Sequence, residues 1–376
     1  MTKSSDRQFP HAMLREIFEQ PDAITRTLDY YTANGALQMD KFHTDLLDLP
    51  AKNKLLIVAS GSSRHAGLVG ELLIEDFSGL SVDVEFASEF IYRSKRALGS
   101  ACLVVISQSG ETADTLEAIR EAHVLGIPTI AITNRADSTM AKLARCSLPT
   151  QAGAEHAVPA TKSFTTQLVV LNLLAFFSAR VRGSMTGASL EAEMQRLYEI
   201  PWLLEQYLPQ WERQLSQIVD ALDGIDNFLF LGRGAHYPIA REGALKLKES
   251  AYIPAEGYPA GELKHGPNAL VADTTKLVVL ATQDAKSPDS ALRYRKTVQL
   301  LRDLQPLNAR VIALATEGDK EVPALVAHTV FIPPSPDHLT PILEVVPLQL
   351  LAYFAAVKRG INVDAPRNLN KAVLVE

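Results

Sequence analysis

Ser107-Gln108-Ser109-Gly110-Glu111-Thr112 places three hydroxyls and an amide on one short polar stretch. Ala101 to Ile106, just before it, is a continuous apolar run of the kind a strand buried on both faces needs. Residues 113–122, just after it, read as an amphipathic helix. In a parallel α/β sheet, a loop between a strand's carboxyl end and a helix's amino end is where ligands bind. The N–H groups of the first helical turn and the helix dipole favour an anion there. Neutral donors beside them suit a phosphate monoester on a small molecule. The competing reading is a plain helix cap. A second group lies downstream. Glu242, Lys246 and Glu249 fall on nearly one helical face, followed by Glu256 and by Gly261-Glu262-Leu263-Lys264-His265-Gly266-Pro267. A charged stripe of this kind is more often a solvated salt-bridge ladder. A histidine in a glycine-rich loop among carboxylates looks instead like part of a site.

The chain of 376 residues allows two or three domains, and 47% hydrophobic with 21% charged residues allows a large core. The formal net charge is −6 with no basic cluster, which argues against nucleic acid as a partner. An anionic substrate must then be held by local groups. Two cysteines, Cys102 and Cys146, argue against a disulfide framework and fit a reducing cytoplasm. The amino terminus leads into no apolar signal core. The longest apolar stretch, Leu168 to Ala179, is interrupted by Asn172 and Ser178 and is short for a bilayer span. Cysteine and histidine do not cluster at zinc-like spacing, so no metal is expected.

The elements that must position these residues follow from periodicity. Residues His11 to about Leu49 read as helical and peripheral, with Met13, Ile17, Ile24, Leu28 and Tyr31 at helical spacing and Pro21 opening a second helix. Strands are expected at 54–59, 82–86, 101–106, 128–133 and 146–149, with helices at about 65–77 and 163–179. The same grammar repeats, with strands at 227–231, 276–280 and 310–314 and a helical connection around 190–219. The pattern predicts an α/β fold of two similar domains, each a doubly wound parallel sheet flanked by helices, with an N-terminal helical segment and a C-terminal tail. The expected boundaries are 1–50, 51–188, 189–220, 221–360 and 361–376.

Several motifs, in order, carry a resemblance. They are Ala87-Ser88-Glu89-Phe90-Ile91-Tyr92-Arg93, the Ser107 to Thr115 stretch, and Ala160-Thr161-Lys162-Ser163-Phe164-Thr165-Thr166-Gln167. Then come Glu242 to Glu249, Gly261 to Pro267, and Asp364-Ala365-Pro366-Arg367-Asn368-Leu369 before Lys371. Together they make the chain resemble the sugar isomerase (SIS) family, and within it the isomerase half of glutamine–fructose-6-phosphate aminotransferase. The resemblance implies tandem SIS domains. It also implies that Ser107, Gln108, Ser109 and Thr112 bind phosphate, that Ser62 and Ser63 contact the sugar, and that Val158 does so through its backbone. Lys246 is counted with the substrate-binding residues. Glu249 matches the carboxylate that moves a proton between C1 and C2. His265 matches a ring-opening histidine that reaches a neighbouring subunit's site, and Lys371 a lysine able to form an imine with the open-chain sugar. The residue types suit these roles, since histidine titrates near neutrality, one carboxylate can reach both carbons, and an amine is a nucleophile toward a carbonyl.

The sequence departs from that half in places. Ser60-Gly61-Ser62-Ser63 stands where Cys-Gly-Thr-Ser is usual, Pro159-Ala160 where Ala-Ser is usual, and Asn370 where Ala is usual. With Thr2 at the second position and Cys102 the first cysteine, no glutaminase portion with its own ammonia source is expected. The resemblance therefore implies a stand-alone deaminase that converts D-glucosamine 6-phosphate and water to D-fructose 6-phosphate and ammonia. It further implies a cytoplasmic homodimer with active sites at its interface, no cofactor and no membrane. The alternatives are a fructosamine-6-phosphate deglycase, another hexosamine-phosphate deaminase or isomerase, and a non-catalytic sugar-phosphate sensor.

Overall fold

The computed structural model describes residues 7–39, 54–94, 98, 101–222 and 227–371. It forms two compact units, each built on one five-stranded sheet. The first-sheet unit comprises Glu19–His156, Lys162–Pro201 and Asn370–Glu376; the second comprises Met1–Phe18, Ala157–Thr161 and Trp202–Leu369.

The chain opens with helices α1 (Ala12–Phe18) and α2 (Gln20–Tyr31) and a hairpin of β1 (Thr32–Ala33) and β2 (Ala36–Leu37). Helix stops at Tyr31 because the chain turns at Asn34 and Gly35, both at positive φ, which an Asn-Gly pair adopts readily. The expected helix to Leu49 is thereby corrected as far as residue 39; residues 40–53 lie outside the described residues, as do 372–376 of the tail. Met13, Ile17, Ile24, Leu28 and Tyr31 are all fully buried, because an apolar stripe at helical spacing has to be covered.

In the first-sheet unit, β3 (Lys54–Ala59), α3 (Gly61–Ser78), β4 (Ser81–Phe86), α4 (Ala87–Phe90) and β5 (Ala101–Ile106) are followed by α5 (Ala113–Val124). Then come β6 (Thr129–Thr133), α6 (Thr139–Leu143), β7 (Cys146–Pro149) and α7 (Lys162–Val181). The strands lie in the order β4-β3-β5-β6-β7, every pair parallel. All six residues of β5 are buried, because helices cover both faces. Leu56, Val58, Leu103, Val105 and Ala131 pack with Leu116, Ile119 and Ala122 of α5. The alternate residues Ile57 and Ile106 face Gly67 of α3 on the other side. Helix α3 begins at Gly61 rather than near His65, so Ser62 and Ser63 form its first turn, where serine is favoured.

The second-sheet unit repeats this plan after α8 (Gly187–Ala221), within which the division between units falls. Its elements are β8 (Asn227–Gly232), α9 (His236–Ala251), β9 (Ala255–Pro259), β10 (Thr275–Ala281), α10 (Pro288–Leu304), β11 (Arg310–Thr316), β12 (His328–Ile332) and α11 (Thr340–Lys358). The order β12-β11-β10-β8-β9 is again wholly parallel. Leu229, Leu231, Leu277 and Val279 pack under α10. Phe230, one residue out of phase, faces α9 and α11. Gly243 makes that approach possible, since a Cβ there would lie 2.9 Å from the phenyl ring of Phe230 and 2.8 Å from Leu348. Helices α7 and α11 are long and apolar enough to cross a membrane, and in each 89% of the apolar window is buried inside the protein, as in core helices. The stretch Leu168 to Ala179 is therefore part of a longer helix than its apolar run suggests.

Candidate active site

In the first-sheet unit, neighbours β3 and β5 send their chains to opposite sides, which opens a crevice at their carboxyl ends. The first turn of α3, with Ser62 and Ser63, follows β3, and the Ser107 loop follows β5. Ser63 Oγ accepts a bond from Gln167 Nε2 of α7 at 3.0 Å. The Ser107 loop is fixed from within. Gly110 N–H donates to Ser107 Oγ at 3.1 Å, Glu111 N–H to Ser109 Oγ at 3.2 Å, and the Ser107 and Thr112 hydroxyls meet at 3.1 Å. It is also fixed from outside. Asn134 N–H donates to the Gln108 carbonyl, Met140 N–H to the Gly110 carbonyl, and Thr139 N–H to the Glu111 carboxylate. That last bond heads the influences that lower the Glu111 pKa.

Thr112 is the N-cap residue of α5, yet its side chain makes no cap bond because it is turned to Ser107. The plain-cap reading of this motif is thus not what the side chains do. The first-turn N–H groups of α5 thus receive no side-chain cap from Thr112. Gly110 holds the loop at φ +66°, and a Cβ there would lie 2.2 Å from Ser138 Oγ and 2.6 Å from Ser138 Cβ. Gly110→Ala is expected to destabilise the protein by about 1–3 kcal/mol from backbone strain alone, with the clash adding to it. Urea unfolding checks this; a loss below about 0.5 kcal/mol would show that the loop yields.

In the second-sheet unit, Glu242 and Lys246 are 0% exposed and Glu249 is 23% exposed. Lys246 Nζ lies 2.6 Å from Glu249 Oε2 and 3.4 Å from Glu242 Oε1. The solvated-ladder reading is excluded by this burial. Burial pulls the Lys246 pKa down, but Glu249 and Glu242 outweigh it, so the amine is held above its ordinary range and stays charged. Glu249 is thus a carboxylate pinned by one oxygen and still reachable from outside.

His265 ends the 3-10 turn Glu262–His265 and is exposed. Leu263 of that turn packs into the α10 side of the sheet, and Lys264 reaches Asp303 of α10 at 2.5 Å. Helix α9, with Glu249, packs on the other side with α11. The structure therefore does not bring His265 and Glu249 of one chain to the same face. Val158 is half-buried, and its N–H is committed to the Asp364 carbonyl at 3.1 Å, which leaves its carbonyl as the group able to meet a sugar.

The crevice of the second sheet is filled by its own side chains. His236, the first residue of α9, has Nδ1 2.6 Å from Glu344 Oε2, and Thr282 Oγ1 donates to Glu344 Oε1 at 2.5 Å. Asp337 takes bonds from Arg293 and, at 2.6 Å, from Ser290. The repeat in sequence is thus not a repeat of sites. Burial lowers the His236 pKa, but Glu344 and Asp337 outweigh it together with the opposing Arg293, so the net shift is upward. A raised folded pKa stabilises fully below the unfolded value of about 6.5, and that contribution is lost as pH rises through the folded value. The stability gap between wild type and His236→Gln is therefore expected to shrink as pH is raised from about 6. Urea titrations at stepped pH measure it; a gap that widens with pH contradicts the assignment.

Residues 48–176 and 222–359 match the family model described as SIS domain. The chain belongs to the SIS domain family. It is 41% identical over 374 residues to glutamine–fructose-6-phosphate aminotransferase (isomerizing) of Chlorobaculum tepidum, a match covering 98% of this chain and 59% of that protein. The chain thus spans about three-fifths of the length of the curated relatives it matches. Among solved structures it is similar to the C-terminal domain of glucosamine-fructose-6-phosphate aminotransferase from Francisella tularensis, with TM-score 0.89, 34% identity, and coverage of 97% of this chain and 100% of that one. It shares its fold with a glucosamine-6-phosphate deaminase from Thermotoga maritima, with TM-score 0.70, 24% identity, and coverage of 97% and 100%.

One residue of this SIS protein is not marked by any sequence pattern. Glu155, between β7 and α7, is buried and bonds Lys371 Nζ at 2.6 Å. A glutamate in a loop of small residues has no periodicity to reveal it; its only sequence signal is its place just before the Ala160 to Gln167 motif. Among the described residues, no cluster of three or more His, Cys, Asp or Glu is placed to hold a metal.

Proposed function

We propose that this SIS protein is an enzyme acting on 2-amino sugar phosphates, and that its reaction is deamination of D-glucosamine 6-phosphate to D-fructose 6-phosphate and ammonia. The observation that carries the reading is Glu249, the one partly exposed member of an otherwise buried charged triad. Such a group can take a proton from C2 of the open-chain aldose and return it at C1. That turns the 2-amino aldose into a C2 imine, which water hydrolyses to the ketose and ammonia. The Ser107 loop takes the phosphate on the uncapped first turn of α5, and this remote binding holds the reacting carbons in place. Ser62, Ser63 and the Val158 carbonyl take sugar hydroxyls. Lys371 is the amine for a transient imine. His265, on the opposite sheet face from Glu249, opens the ring of a sugar bound by a second copy of the chain, so the working form is a homodimer.

The working place that fits is the cytoplasm. The test is to incubate the purified protein with glucosamine 6-phosphate and assay ammonia and fructose 6-phosphate together. Equal amounts support the reading. Binding without either product overturns it, and turnover of a fructosamine 6-phosphate instead would reassign the site as a deglycase.

A further inference from the structure

The Glu155 side chain is 0% exposed. Its Oε1 accepts the Ser163 N–H at 3.1 Å, and its Oε2 accepts the Ser163 hydroxyl and the Lys371 ammonium, each at 2.6 Å. Ser163 is the second residue of α7, so the carboxylate is anchored at the amino end of a buried helix, where the dipole favours a negative charge. Lys371 is brought to it from 216 positions away and remains 26% exposed. One partner is thus rigid and sealed off, while the other is held but reachable. A pair built only for stability gains little from leaving its cation open to solvent.

We propose that Glu155 is the positioning residue of Lys371: it fixes the amine and takes up a proton when that amine condenses with an open-chain sugar phosphate. This rests on the reading of Lys371 as an imine-forming amine. The ammonium first gives one proton to Glu155 Oε2, which frees the nitrogen lone pair. The lone pair forms the new bond to the carbonyl carbon as the C=O π pair moves to oxygen. Glu155 returns its proton to that oxygen, a second proton leaves the nitrogen for the same oxygen, and water departs. The sum is ammonium plus carbonyl to protonated imine plus water, with no net proton and no oxidant or reductant.

The test traps the imine with sodium borohydride, using fructose 6-phosphate as the probe and peptide mass spectrometry to locate the adduct. Wild type is expected to carry it on Lys371. Glu155→Gln keeps the side-chain volume and can still accept from Ser163, but cannot take the proton. Its trapping rate is expected to fall about 100-fold, the lower end of general acid–base effects, with half-saturation by fructose 6-phosphate unchanged. Glu155→Asp, which keeps a carboxylate, is expected to recover at least about tenfold of that loss. A purely structural role would move half-saturation and give no recovery. Wild-type trapping rates in Glu155→Gln, or no adduct on wild-type Lys371, overturn the proposal. Ammonia release from glucosamine 6-phosphate, assayed in the same samples, separates the two failures. Product without adduct sinks this inference alone; neither product nor adduct sinks the deaminase reading with it.

Discussion

Replacing Glu249 by Gln is expected to lower kcat for ammonia release from glucosamine 6-phosphate by about 10²–10⁴-fold, with KM within about threefold of wild type. The amide keeps the length of the side chain and can still accept from Lys246, which sits 2.6 Å from Oε2. What it loses is the ability to take a proton. Phosphate binding, proposed for the Ser107 loop, does not use Glu249 and has no reason to change. A kcat within about tenfold of wild type would contradict the base assignment, and a rise in KM at constant kcat would recast Glu249 as a binding group.

Lys246→Met is expected to be the most destabilising single change in the site. Lys246 and Glu242 are 0% exposed, and removing the cation takes from the buried carboxylate the ammonium 3.4 Å away. Breaking a buried pair from one side costs about 3–5 kcal/mol. The unfolding midpoint should therefore fall sharply at neutral pH, and turnover should fall with it because Glu249 loses the group that orients it. Urea unfolding by circular dichroism measures the first effect. The double variant Glu242→Gln, Lys246→Met removes both charges and should recover part of the stability but not the activity. If Lys246→Met costs less than about 1 kcal/mol, the triad is not the rigid support described here.

The sheets are legible in the sequence because every central strand is covered on both faces. Ala101 to Ile106 reads as an unbroken apolar run for that reason, and the structure buries all six of its residues. The Ser107 loop is legible because polar residues with a glycine interrupt such a run where a helix begins. The triad is half legible. Spacing puts Glu242, Lys246 and Glu249 on one face, but spacing is the same for a solvated ladder and a buried cluster, and only packing against α11 and the sheet decides between them. Glu155 is not legible, since its partner Lys371 is 216 positions away and no local pattern joins them. Nor is the filled crevice of the second sheet, which draws His236, Thr282, Arg293, Asp337 and Glu344 from separate elements. The early hairpin at Asn34 and Gly35 is masked because the helical spacing of Ile24, Leu28 and Tyr31 runs right up to the turn.

The central claim is that Glu249 moves a hydrogen between C2 and C1 of an amino sugar phosphate. Glucosamine 6-phosphate deuterated at C2 tests it most directly, with the label followed by NMR as fructose 6-phosphate forms. The expected result is that wild type moves the deuterium from C2 to C1 or to water as fast as it makes product, while Glu249→Gln binds the sugar and leaves the label at C2. Label loss at the wild-type rate in Glu249→Gln, with fructose 6-phosphate formed at the wild-type rate, would contradict it.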